Sequence, residues 1–137
     1  MSMLGTYDHA KVNISLNGIS LTDFNGDVTI EKEGDDWETV EGSNGAVERS
    51  RMNRRLYTVT IPFMQTSKQL TAIEALRVAD IATAAGPYPF AVTDLNGAYV
   101  LMGQAWIRSM GTATKGRSAS ARSVVLSVKA ELAFEGA

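Results

Sequence analysis

Four Asn-Gly dipeptides, Asn17-Gly18, Asn25-Gly26, Asn44-Gly45 and Asn96-Gly97, punctuate a chain of 137 residues. Tight hairpin turns need positive φ at their central residues, which asparagine tolerates and glycine adopts freely, so this pair is the strongest short hairpin signal a sequence carries. Three of the four fall between strand-like runs: "KVNISL" and "ISLTDF" flank the first, "DVTIEKE" follows the second, and "YPFAVTDL" and "AYVLMGQAWIRS" flank the fourth. Two longer runs, "RLYTVTIPFM" and "ARSVVLSVKAELAF", are rich in β-branched residues. Tyr57, Val59 and Ile61 alternate with Thr58 and Thr60, while Val124, Leu126, Val128, Leu132 and Phe134 are expected to oppose Ser123, Ser127, Lys129 and Glu131. Such alternation places one face in a core and the other in water.

One stretch breaks the period of two. From Ser67 to Ala85, Leu70, Ile73, Leu76, Ile81 and Ala84 recur near helical spacing, which predicts a helix over 67–85. Thr66 and Gln69 have the spacing of a capping box, and Gly86-Pro87 makes a stop. The chain therefore reads as a β-meander, one helix packed on it, and a second β-meander: a mainly β domain over 1–137, an antiparallel sandwich or barrel with one flanking α-helix. A chain of this length buries roughly 70% of its unfolded surface, enough for its own core. No apolar run approaches the ~20 residues of a membrane span, and "MSMLGTYDHAKV" lacks a signal pattern.

The net charge of −2 conceals segregation. Between Asp23 and Glu48 stand nine acids (Asp23, Asp27, Glu31, Glu33, Asp35, Asp36, Glu38, Glu41 and Glu48) against Lys32 alone, and then come Arg49, Arg51, Arg54 and Arg55. The last third is basic again, with Arg108, Lys115, Arg117, Arg122 and Lys129. A chain with an acidic arm and basic surfaces elsewhere attracts copies of itself. Trp37 is the odd residue of that arm: it either tucks back on its own domain or anchors an interface, where tryptophan is enriched. Trp106, inside a strand pattern, is expected in the core.

Catalytic constellations fare poorly. "GTATKGRS" (Gly111–Ser118) approaches a phosphate-binding loop, but Arg117 stands where lysine belongs and a strand follows where a helix N-terminus is required. Cysteine is absent and His9 is the single histidine, which excludes thiolate chemistry and multi-histidine metal sites. Asp35, Asp36, Glu38 and Glu41 do not follow EF-hand spacing. The expectation is a non-enzymatic protein with no cofactor and no metal.

"DFNGDVTIEKEGDDWETVEGSNGAVERSRMNRRLYTVTIPFMQTSKQL", followed by "VTDLNGA" and "GQAWIRS", resembles the tail tube proteins of contractile-tailed bacteriophages, the myophage inner tail tube family, across Ile19 to Phe134. The most specific parts are the "FNGD" turn, "GSNGAVERSRMN" before the long strand, "QTS" entering the helix and "QAWI"; the last strand departs with Val124 and Val125 in place of a larger residue. The resemblance implies a structural virion protein of the tail, assembled in the host cytoplasm. Hexameric rings stack into the inner tube, a sheath surrounds it, and the lumen holds a tape-measure protein and later conducts DNA during ejection. No sequence-specific nucleic-acid binding and no membrane partner are implied. On this footing 34–54 is an extended loop reaching a neighbouring subunit, with Asp35, Asp36, Trp37, Glu38, Glu41, Glu48, Arg49, Arg51, Arg117 and Arg122 as ring-stacking residues. Asp27, Thr29 and Glu31 on one strand face, with Thr58 and Thr60 on another, are the candidate lumen lining. The alternatives are the tube protein of a phage-derived secretion or contractile injection apparatus, and a monomeric β-sandwich binding module. The latter needs a concave aromatic platform that 7% aromatic residues scarcely supply.

Overall fold

The computed structural model describes residues 5–136; the first residues of the N-terminal pattern and the last of the chain lie outside them. After a 3-10 turn at His9–Lys11 come β1 (Val12–Leu16), β2 (Ile19–Leu21), β3 (Thr29–Lys32), β4 (Trp37–Glu41), β5 (Val47–Arg51) and β6 (Leu56–Phe63). The helix α1 (Lys68–Thr83) precedes β7 (Tyr88–Asp94), β8 (Tyr99–Ser109) and β9 (Arg122–Glu135). Seven strands form one antiparallel sheet in the order β2-β1-β7-β8-β9-β6-β3, and β4 with β5 forms a separate two-stranded sheet.

The turn chemistry holds with one exchange. Asn17 and Gly18 both adopt positive φ (50° and 80°) and close the two-residue hairpin β1–β2. Asn96-Gly97 turns β7 into β8. Asn25-Gly26, read as a hairpin signal, closes none: β2 pairs with β1 and β3 pairs with β6, so this segment carries the chain from one sheet edge to the other. A flat seven-stranded sheet is roughly 29 Å wide; the segment would have to be fully stretched to cross it. Instead it bends, Phe24 bridges Phe63, and the Asn25 amide donates to the Pro62 carbonyl at 2.9 Å. The sheet is therefore curled, and Val12 and Ile14 of β1 share a cavity of about 250 Å³ with Ile30 of β3 although four strands lie between them.

The concave face holds the core. Leu16, Val59, Ile61, Phe63, Leu101, Val124, Leu126 and Val128 are fully enclosed, each such side chain contributing about 1.5–3 kcal/mol relative to exposure. The alternation read along β6 and the first half of β9 is the one observed. Leu132 and Phe134 are the correction: both are more than half exposed. Gly103 pairs with Ala130 while the preceding Met102 pairs with Leu132, so Glu131 is an extra residue and the parity of β9 inverts there. The strands approach so closely at this bulge that a Cβ on Gly103 would collide with the Lys129 carbonyl. Trp106 is corrected too, since it lies on the convex face, 39% exposed.

Helix α1 starts one residue later than the capping pattern suggested. Ser67 is the N-cap, its hydroxyl accepting from the Gln69 amide (3.1 Å) and donating to Asp23 (2.7 Å). Gln69 is thereby freed to hold the exit of β2: its oxygen accepts from the amides of Thr22 (2.8 Å) and Asp23 (3.1 Å), and its nitrogen donates to the Ser20 carbonyl (2.9 Å). Leu70 and Ile73 are buried, Leu76 is half-buried, and Ile81 and Ala84 are exposed against expectation. Only the first turns of the helix are covered by the sheet, and Ala84 ends it in the left-handed conformation.

Two outcomes follow from this packing. Ile73→Ala costs about 2–5 kcal/mol, whereas Ile81→Ala stays within about 0.5 kcal/mol, measured by urea unfolding of both variants. Tyr57, buried and donating to Glu135 (3.1 Å), has its pKa pushed from 10.0 to about 12, first by burial and then by the Glu135 charge. The unfolded chain therefore loses this proton first, so the contribution of Tyr57 is whole below pH 10 and is lost as the pH rises through about 12. Thermal unfolding across that window shows the decline, and Tyr57→Phe flattens it.

Candidate functional site

The convex face of the sheet has no layer over it among the described residues. Directly opposed residues share a face, and the β3–β6 register sets Thr29 opposite Thr60 and Glu31 opposite Thr58. Four of the five residues read as lumen lining therefore stand together on this face. Asp27 lies outside β3, in the bend that precedes it, although its exposure keeps the alternation. Glu33, which the reading passed over, belongs with them: the Thr58 hydroxyl donates to its carboxylate, and it follows Glu31 by one period of two.

Further along the same face the chemistry changes. Val100 and Met102 of β8 oppose Phe134 and Leu132 of β9, so the bulge assembles an apolar strip outside the core. Met102, Leu132 and Phe134 are 45%, 54% and 58% exposed. The β9 segment that carries the strip has outrun β6, whose first residue pairs with Lys129, and leaves its edge unpaired on that side. The end strands β2 and β3 each pair on one side as well. Exposed apolar surface and unpaired strand edges are liabilities that a lone domain avoids and an assembly uses.

The arm read over 34–54 as an extended loop contains a hairpin. Asn44-Gly45, left unassigned by flanking pattern, lies in its turn, where the Gly42 amide donates to the Ala46 carbonyl at 2.7 Å. Trp37 opposes Arg51 and Thr39 opposes Arg49. The Arg49 guanidinium lies 4.0 Å from the centre of the Trp37 ring and that of Arg51 lies 5.6 Å from it, the geometry of cation–π attraction. Trp37 thus neither tucks into the core nor stands free; it is roofed by its own hairpin and remains 41% exposed. Every residue of β4 and β5 is exposed.

The remaining ring-stacking candidates separate. Asp36 forms an ion pair with Lys32 of its own chain. Asp35, Glu38, Glu41 and Glu48 are exposed on the arm. Arg122 is half-buried and its Nε donates to the Met110 carbonyl (3.0 Å), so it closes its own loop. Arg117 is exposed in that β8–β9 loop, which Gln65 pins by donating to the Thr114 carbonyl (2.8 Å) and accepting from the Ser120 amide (3.1 Å). The loop resembling a phosphate cradle joins two antiparallel strands, and a strand, β9, follows it in the chain where such a cradle needs a helix. Among the described residues no three acidic or histidine side chains gather as a metal site, and no helix is long and apolar enough to cross a membrane.

No family model matches the sequence, and the search of curated proteins finds no match. Solved structures do share the fold. A chain of the PVC sheath/tube terminator of an extracellular contractile injection system, in its extended state, superposes with a TM-score of 0.61 at 9% identity, covering 97% of this chain and 98% of that one. A chain of the anti-feeding prophage cap, the AFP tube-terminating cap, superposes with a TM-score of 0.58 at 8% identity, covering 94% of this chain and 91% of that one. At such identities the likeness establishes the fold, over nearly the whole length of each chain.

Because β4 and β5 form their own sheet, deleting Gly42 to Val47 leaves the seven-stranded body intact. Its thermal midpoint moves no more than an ordinary surface change, about 0.5 kcal/mol in stability, as calorimetry of the deletion variant checks.

Proposed function

We propose that this chain is a structural, non-catalytic subunit of a contractile tail, assembling with copies of itself into hexameric rings that stack as the inner tube. The observation that supports it best is the convex face, uncovered among the described residues, polar at β3 and β6 and apolar where the start of β8 meets the end of β9, on a sheet with open edges. A monomer gains nothing from such a face. In a ring the apolar strip and the strand edges meet neighbouring subunits, and Thr29, Glu31, Glu33, Thr58 and Thr60 face the channel. Their acids repel a phosphate backbone, so that transiting DNA slides without adhering. The sheath outside, and a tape-measure protein inside before DNA, complete the partners, and the site of action is the tail. The fold shared with chains of two tube-terminating assemblies fits this reading.

That same likeness favours a second reading, a terminator ring that closes the end of a tube in a phage tail or an injection apparatus. Both demand rings; they differ in whether rings continue to stack. Electron microscopy of the purified protein separates them. Long open tubes identify the repeating subunit, single rings that bind only tube ends identify the terminator, and monomers at every concentration and salt overturn both.

Within either ring, Leu132→Asp with Phe134→Asp yields a folded monomer, because both positions are exposed in the free subunit, and abolishes rings in size-exclusion chromatography. Glu31→Lys with Glu33→Lys leaves rings intact but retards DNA passage, since the cations bind phosphate; normal ejection from intact variant particles removes the lumen assignment.

A further inference from the structure

Strand geometry sorts the hairpin charges in a way that composition conceals. With Trp37 opposite Arg51, Thr39 opposite Arg49 and Glu41 opposite Val47, one face of the blade carries the roofed tryptophan, both arginines and, at its turn end, the single acid Glu41, for a net positive charge. With Glu38 opposite Ser50 and Val40 opposite Glu48, the reverse face carries two acids beside a valine and a serine, and no base. Both faces are exposed throughout. The spacings match as well as the signs. Arg49 and Arg51 are two residues apart on one strand, about 7 Å. Glu38 and Glu48 are diagonal neighbours across the pair, about 7–8 Å.

We infer that the β4–β5 hairpins of successive copies stack face to face, the Trp37–Arg49–Arg51 face of one seated on the Glu38–Val40–Glu48 face of the next. The occupant of each face is a second copy of this chain. The paired arginines of one face and the paired acids of the other have opposite sign and equal spacing and so fit each other, Glu41 lying beyond the arginines at the turn end, whereas two acidic faces repel. Such a contact is heterologous: every docked copy presents an unoccupied face of the kind just used, so the contact propagates in one direction and closes as a ring or extends as a filament. The inference rests on the reading of the chain as a self-assembling subunit and assigns the arm its docking surface, with the acids of one arm meeting the arginines of another arm. Val40 (55% exposed) gains cover, and Trp37 loses its remaining exposure.

The test is charge reversal on the full chain, read by sedimentation velocity and microscopy. E38K/E48K makes both faces basic and R49E/R51E makes both acidic, so each variant alone repels its own copies and associates at least about tenfold more weakly than wild type. Mixed in equal amounts, the two alternate and assembly returns. Removing the arginines uncovers Trp37 and endangers the hairpin, so a second measurement uses E38K/E48K, in which Trp37 and both arginines are untouched. Added in small proportion to wild type, it docks by its intact face, offers a basic face to the next copy, and caps growth at one end only. Should R49E/R51E lose its hairpin by circular dichroism, this capping decides alone. Either variant assembling at wild-type affinity, a mixture of folded variants no better than its parts, or no capping, overturns the inference. A wild-type protein that never assembles instead overturns the function on which it rests.

Discussion

Strand β9 is inserted inside the sheet, between β8 and β6, and its backbone hydrogen bonds join β2-β1-β7-β8 to β6-β3. Everything else is arranged around that insertion. The concave core closes because Val124, Leu126 and Val128 sit between the apolar faces of β8 and β6. The pairing of Leu56–Phe63 with Arg122–Lys129 joins residues 59 to 73 apart in sequence, so a large loop must close before those bonds reward it. The helix, held by Gln69 and Ser67 at its start and by the Tyr88 hydroxyl on the Leu76 carbonyl (2.8 Å), is fastened to a sheet that β9 completes.

A single extra residue in that strand shapes the surface on which the proposed function rests. Had β9 kept its parity through Glu131, Leu132 and Phe134 would face inward, and the convex face would lack its apolar strip. The bulge turns them outward, where no part of the described chain covers them, and the absence of a side chain on Gly103 permits it. Bulges redirect side chains and end pairing; here both effects fall where β9 runs beyond β6. The fold thus leaves that surface uncovered at the end of the sheet where its own pairing stops.

The hairpin uses the same geometric device on charge. Acids and arginines adjacent in sequence are separated onto opposite faces because side chains alternate along a strand. Glu48 and Arg49 are neighbours in the chain and antipodes in the structure. The intrachain contacts of the arm, Lys32 with Asp36 and the two arginines with Trp37, hold its base and one face without covering the other.

Local physics made much of this legible from the sequence. Period-two alternation located the strands of the large sheet and the buried face of β6, helical spacing placed α1 to within two residues at each end, and Asn17-Gly18 and Asn96-Gly97 turned as their chemistry requires. Four of the five lumen candidates shared a face because parity within a strand is a property of the backbone. What escaped was decided by partners distant in sequence: β9 inserts beside β8 and β6, its bulge inverts Leu132 and Phe134, and Trp106 lies on the side of β8 that no described residue layers over. Gly103, an isolated glycine in a strand, was the one local sign of that bulge. The Asn25-Gly26 and Asn44-Gly45 roles exchanged for a related reason, since a turn residue permits a reversal but only the pairing of its flanking strands makes one. Residue types and their periods by themselves determined the strands of the large sheet, the helix, and the face that β6 and the first half of β9 hide. The register between strands far apart in sequence decided which faces meet, because backbone hydrogen bonds satisfy any register and only the closed core selects one.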